Sequence, residues 1–137
     1  MGKARNLWKN HMKPLIQNVF FNTIGQLSVR MFGSTDKRNL KYEVSLCLIF
    51  KDEGRFLKEW LDYHLTVGVD HFYLYDNNST DDYHTVVQPY IDKGVVTLIA
   101  WPYQQAQVKC YRHCLETYCN ETKWIGYIDA DEFICPK

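Results

Sequence analysis

The chain has 137 residues, one domain's worth, with 16 Lys and Arg balanced by 16 Asp and Glu. An apolar content of 46% and an aromatic content of 15% exclude a disordered chain, and the balanced charge argues against a nucleic-acid binder. The zero net charge hides a split. Residues 1–41 carry eight basic side chains against Asp36 alone, a net of +7, and residues 42–137 carry the compensating −7. This asymmetry describes a basic arm on an acidic domain. The apolar run from Val44 to Phe50 is far short of the ~20 residues of a membrane-spanning helix. The N-terminus lacks the apolar stretch of a secretory signal. Five cysteines in no disulfide-scaffold spacing fit a reducing compartment, so the expected location is cytoplasmic.

In the arm, Pro14 is placed to open a helix. Ile16, Phe20, Ile24, Leu27 and Met31 follow at helical spacing, and Gly33-Ser34-Thr35-Asp36 reads as a linker. A basic amphipathic segment of this kind packs on the domain, frays as a tail, or lies on an anionic membrane surface, here the inner face of the cell membrane.

From residue 42 the pattern alternates strand and helix. Val44–Phe50 reads as a buried parallel strand, broken by Lys51-Asp52-Glu53-Gly54. Leu57, Trp60, Leu61, His64 and Leu65 share a helical face that Gly68 ends. His71–Tyr75 is a second strand ending at Asp76. Asn77-Asn78-Ser79-Thr80-Asp81 is turn chemistry, with Ser79 or Thr80 expected to cap a helix running towards Tyr90. Val95–Ile99 is a third strand, closed by Trp101-Pro102. A third helix spans about Gln104–Cys119, and Trp124–Ile128 is a fourth strand. Four strands separated by helices imply an α/β fold with a mainly parallel sheet, whose ligands sit beyond the carboxyl ends of the strands.

Those ends carry carboxylates: Asp52 and Glu53, then Asp76 and Asp81, then Asp129, Asp131 and Glu132. Asp129 and Asp131 flank one residue at the end of the last strand, where period two lets both face one hard cation, Mg²⁺ or Mn²⁺. Such a cation neutralises the charge on a departing diphosphate. Asp76 is a candidate partner for a base or ribose hydroxyl. Neither GxGxxG nor GxxxxGK[ST] occurs, so phosphate handling is expected to go through the metal, and a sugar nucleotidyltransferase with its Gly-rich loop ranks lower. Cys110, His113, Cys114 and Cys119 lack paired CxxC knuckles and read as core thiols rather than a zinc site. His64 and His71 read as packing or surface residues.

Taken in order, these segments resemble glycosyltransferase family 92 and, more loosely, the family 2 enzymes. The resemblance rests on Phe50-Lys51-Asp52-Glu53, on Trp60-Leu61-Asp62-Tyr63-His64, and on Tyr73-Leu74-Tyr75-Asp76-Asn77-Asn78-Ser79-Thr80-Asp81. It continues through Trp101-Pro102, Gln107, Tyr111 and Cys114 to Asp129-Ala130-Asp131-Glu132-Phe133. It implies a GT-A half-domain, a nucleotide-sugar donor (a UDP-sugar), and a glycan or lipid-linked acceptor. It also implies a divalent metal on Asp129 and Asp131, with Asp52, Glu53, Asp76, Asn78, Asp81 and Asp129 around the donor. Asp52 stands where Asn is usual, and Arg112 where Asn often follows the helix tyrosine. The chain ends six residues after Asp131, so residues 42–137 are expected to be the nucleotide-sugar-binding half of a GT-A domain, either part of an enzyme or an inactive remnant that binds nucleotide or membrane. The general base is expected in the other half.

Overall fold

The computed structural model describes residues 40–135. The amphipathic helix expected between Pro14 and Met31 lies outside the described residues. Seven elements follow in strict alternation: β1 (Tyr42–Phe50), α1 (Gly54–Thr66), β2 (His71–Asp76), α2 (Tyr83–Asp92), β3 (Val96–Ala100), α3 (Ala106–Tyr118) and β4 (Thr122–Tyr127). The sheet is wholly parallel, in the order β3-β2-β1-β4. This is the α/β fold with a mainly parallel sheet expected from the strand–helix alternation. No helix among the described residues is long and apolar enough to cross a membrane.

The apolar run in β1 has a direct physical cause, because helices cover both faces of the sheet. Leu46, Leu48 and Phe50 alternate out of β1 with Phe72 and Leu74 of β2 into a core completed by Leu57, Trp60 and Leu61 of α1 and Val87 and Tyr90 of α2. On the opposite face, Cys47, Tyr73 and Tyr75 pack with Ile125 and Tyr127 against Cys110 and Cys114 of α3. With both faces covered, neither parity of the strand can be polar. Each fully buried Leu or Phe contributes about 1.5–3 kcal/mol. Cys47, Cys110 and Cys114 are core thiols, and burial pushes the Cys47 thiol well up. Among the described residues, no three His, Cys, Asp or Glu side chains are grouped to hold a metal ion.

The connections set where a ligand can sit. From β1 the chain steps outward to β2 and β3, then returns through α3 to place β4 on the other side of β1. The direction of winding therefore reverses between β1 and β4, the position at which open parallel sheets place their ligand crevice.

Two histidines are buried on the amino-terminal side of this arrangement and in α1. His64 places Nδ1 2.8 Å from the Trp60 carbonyl and accepts the Ile134 N–H at Nε2. The ring therefore carries its proton on Nδ1. His71 stacks on Tyr42 with ring centroids 4.3 Å apart and meets Thr97 Oγ1 at 2.8 Å. Burial lowers both to a pKa of about 4, with the Lys41 charge adding to the effect at His71. The neutral form is the folded one, so their contribution is complete above pH ~6.5 and is lost as pH falls towards 4. Urea denaturation between pH 7.5 and 4.5 is expected to show stability falling with pH, His64 alone giving up to about 1.4 kcal/mol per pH unit. A flat profile across that window would contradict neutral burial.

Candidate functional site

At the end of β1 the backbone enters the left-handed region at Asp52, with φ of +55°. Asp and Asn accept this conformation because their short polar side chains bond locally. The Asp52 carboxylate reaches across to the β2–α2 loop. Its Oδ1 accepts the Thr80 N–H at 2.6 Å, the Thr80 hydroxyl at 3.1 Å and the Asp81 N–H at 3.3 Å. In return the Asp52 N–H donates to Ser79 Oγ at 3.0 Å. These bonds, the Thr80 N–H first, lower the Asp52 pKa below the usual carboxylate value.

The same two loops are joined a second time. Glu53 precedes α1 but makes no side-chain cap; its carbonyl accepts the Phe56 N–H. Instead Asp81, 27 residues away, accepts the Gly54 N–H at 2.7 Å through Oδ2, while its Oδ1 is buried with no hydrogen-bond partner among the described residues. A carboxylate here satisfies one of the orphan amides of α1 and complements the positive end of the helix dipole. The approach is close. A Cβ at Gly54 would stand 2.7 Å from Asp81 Oδ2 and 3.0 Å from Tyr83 Cα.

Asp76, at the end of β2, accepts the Ser79 N–H at 2.8 Å. Burial, followed by Asp76, raises Tyr83 to about 12. Asn77 donates to the carbonyls of Trp101 at 2.6 Å and Tyr103 at 3.0 Å, tying in the segment after β3. Asn78 is exposed, with φ of +58°. The expected capping role of Ser79 or Thr80 is not what the structure shows. α2 begins only at Tyr83, after Asp82, and Ser79 and Thr80 spend their polar groups on Asp52 and Asp76.

The Asp129–Glu132 segment also departs from expectation. β4 stops at Tyr127, and Asp129 to Glu132 form a turn closed by the Glu132 N–H on the Asp129 carbonyl at 3.1 Å. The period-two argument therefore does not apply to Asp129 and Asp131, since both lie beyond the strand. The turn is instead hung from α1, where the Trp60 indole N–H donates to the carbonyls of both Asp129 and Glu132, each at 3.1 Å. Tyr63 donates to the Ile134 carbonyl, and Phe133 packs on Tyr63 and His64. The Glu132 carboxylate is used locally, accepting the Asp129 N–H at 3.0 Å. Asp129 and Asp131 are left exposed, with Gln107 of α3 3.4 Å from Asp129 Oδ1.

The structure thus brings Asp52, Asp76 and Asp81 into one hydrogen-bonded network at the ends of β1 and β2. Asp129 and Asp131 lie on a separate turn, and among the described residues the two networks share no hydrogen bond. Trp60 and Asn77 hold these loops, and the sequence reading assigned neither of them that role. A tryptophan on the core face of a helix carries no signal for a polar bond 69 residues away.

Comparison with known proteins adds an independent finding. Residues 41–137 match glycosyltransferase family 92. A glycosyltransferase family 92 protein of Ricinus communis is 40% identical over 93 residues, covering 67% of this chain and 17% of that protein. One from Oryza sativa subsp. japonica is 33% identical over 98 residues, covering 71% of this chain and 17% of its own length. The galactan beta-1,4-galactosyltransferase GALS2 of Arabidopsis thaliana is 27% identical over 129 residues, covering 85% of this chain and 25% of its own. The chain therefore spans a quarter or less of the length of these relatives. Among solved structures, S. aureus TarS 1-349 superposes with a TM-score of 0.56 at 16% identity, over 67% of this chain and 28% of that one. That likeness concerns the fold, which agrees with a GT-A half-domain.

The close approach at Gly54 yields a direct test. Gly54→Ala is expected to lower stability by about 1–3 kcal/mol, because backbone and a buried carboxylate must both shift. Chemical denaturation of the variant measures this, and an unchanged midpoint would contradict the contact.

Proposed function

The chain belongs to glycosyltransferase family 92, and from that premise we propose that residues 42–135 form the donor-binding part of a metal-dependent glycosyltransferase. In this reading a nucleotide-sugar, a UDP-sugar, lies across the carboxyl edge of the sheet, and the sugar passes to a glycan or lipid-linked acceptor. One observation carries the proposal: the winding reverses between β1 and β4, the two strands whose ends present Asp52 and Glu53 on one side and Asp129 to Glu132 on the other.

Each residue has a task there. Asp129 and Asp131 offer exposed carboxylate oxygens, the donor set that suits Mg²⁺ or Mn²⁺, which bind through one or two carboxylates together with phosphate oxygens and water. When bound, the cation neutralises the charge of the departing diphosphate. Trp60 holds the turn bearing both carboxylates, so that little ordering remains to be done on binding. Asp76 retains acceptor capacity beyond its bond to the Ser79 N–H for a ribose or base donor. Asp52 and Asp81 act mainly by fixing the two loops to each other, and Glu53 and Asn78 flank them. The basic arm, residues 1–41, is assigned to an anionic membrane surface at the cytoplasmic side, where lipid-linked acceptors would be at hand.

The relatives named galactan beta-1,4-galactosyltransferases make UDP-galactose the first donor to try. Calorimetric titration of the chain with UDP and UDP-galactose is expected to show binding that requires Mn²⁺. Asp129→Asn combined with Asp131→Asn is expected to weaken it at least tenfold, about 1.4 kcal/mol. Metal-independent binding of equal strength in the variant, or none by the folded chain, would overturn the proposal.

A further inference from the structure

A second concavity lies outside the donor site, between the segment that follows β3 and the outer side of α3. Its volume is about 250 Å³, and it is lined by Trp101, Tyr103, Lys109, Arg112, His113 and Glu116. Three rings make its walls. Trp101 stands 4.7 Å from Tyr103 at 69° and 4.8 Å from His113 at 50°, measured between ring centroids and planes.

These walls are held in place by the fold. The Trp101 indole N–H donates to the Ala106 carbonyl at 3.2 Å, and its backbone N–H to the Asp76 carbonyl at 2.7 Å. The carbonyls of Trp101 and Tyr103 both accept from Asn77. His113 is pinned through Nδ1, 2.9 Å from the hydroxyl of buried Tyr75. Tyr103 is nevertheless 52% exposed, so an aromatic face is offered to solvent in a fixed setting.

Charge sharpens the picture. Lys109 and Arg112 lie three residues apart on α3, hence as neighbours on its surface. The ion pairs among the described residues are Lys58–Asp62 and Lys123–Glu43, and neither uses Lys109 or Arg112. Two cations outside these ion pairs, beside the exposed ring of Tyr103 and the half-buried ring of Trp101, stand out on a domain whose residues 42–137 carry a net of −7. A guanidinium fork recognises planar or tetrahedral oxyanions, and an ammonium adds a point charge. Glu116 can accept hydrogen bonds from hydroxyl groups, and flat rings take the apolar face of a pyranose by burial of its C–H surface.

We propose that this pocket binds a sugar ring bearing an anionic group, a carboxylate or a phosphate, at a site separate from the donor site. Lys109 and Arg112 take the anion, Trp101 and Tyr103 take the ring, and Glu116 takes hydroxyls. The volume, below the ~300–1,000 Å³ of drug-sized ligand sites, suits one ring rather than an extended chain.

The test is an amide-shift titration of the full chain, without metal, against trigalacturonate, glucose 6-phosphate and neutral galactotriose. The expected result is shifts confined to residues 101–116, with at least tenfold tighter binding of an anionic sugar than of galactotriose, weakening as salt rises. Preference for trigalacturonate would identify a carboxylate as the ligand's anion, and preference for glucose 6-phosphate a phosphate. Lys109→Ala with Arg112→Ala, both exposed positions, is expected to cost at least tenfold in this binding. Asp131→Asn is expected to leave it unchanged. Equal binding of galactotriose, indifference to the double substitution, shifts centred on residues 129–132, or no binding of either anionic sugar would overturn the assignment.

Discussion

Two loops of this domain exchange carboxylates for each other's backbone amides, and the geometry of the sheet's carboxyl edge depends on that exchange. Asp52 takes the N–H groups of Thr80 and Asp81, while Asp81 takes the N–H of Gly54 at the start of α1. Bonds from N–H groups to an ionised carboxylate are stronger than neutral ones, and a buried amide left without one costs about 1–3 kcal/mol. The exchange therefore fixes how far the ends of β1 and β2 can part. It also explains the backbone at Asp52, whose left-handed conformation aims the carboxylate across the gap.

The other two strand ends are attached to this frame by different means. Asn77 binds the segment after β3 through two carbonyls, and the indole of Trp60 carries the turn after β4 through two more. Trp60, rooted in α1, and Asn77, directly after β2, thus hold irregular backbone in place, and Asp129 and Asp131 are exposed. This division fits a binding edge. Asp129 and Asp131 keep open acceptor positions, with Gln107 alone 3.4 Å from Asp129 Oδ1, while Trp60 and Asn77 are committed to hydrogen bonds. The reversal of winding between β1 and β4 sets the crevice at the same edge, so topology and local chemistry agree on its place.

Much of this was legible in the sequence. The apolar run of β1 and the aromatic run of β2 announced buried parallel strands, and the helical stripe from Leu57 to Leu65 announced α1. The acidic residues could be placed at strand ends because strand boundaries shift by only a residue or two. Contacts between distant segments were not legible. The assignment of Ser79 or Thr80 as a helix cap rested on local preference, and Asp52, 27 or 28 residues away, outbid it. Period two was extended through Asp129 and Asp131, but a turn closed by Glu132 ends the strand earlier. Trp60 looked like any core residue, because burial dictates its position and only its ring nitrogen has a second task. Gly54 gave no sign that Asp81 would crowd it.

The central claim is that the carboxyl edge at the β1–β4 reversal holds a divalent cation and a nucleotide together. Paramagnetic broadening by Mn²⁺ of the amide signals of the isotope-labelled chain, with UDP present, tests it most directly. The account predicts that signals from Asp129 to Glu132 vanish first, followed by those around Asp52 and Glu53, and that Mg²⁺ in excess restores them. Broadening centred elsewhere, or unchanged signals from 129–132 at saturating Mn²⁺ and UDP, would contradict it.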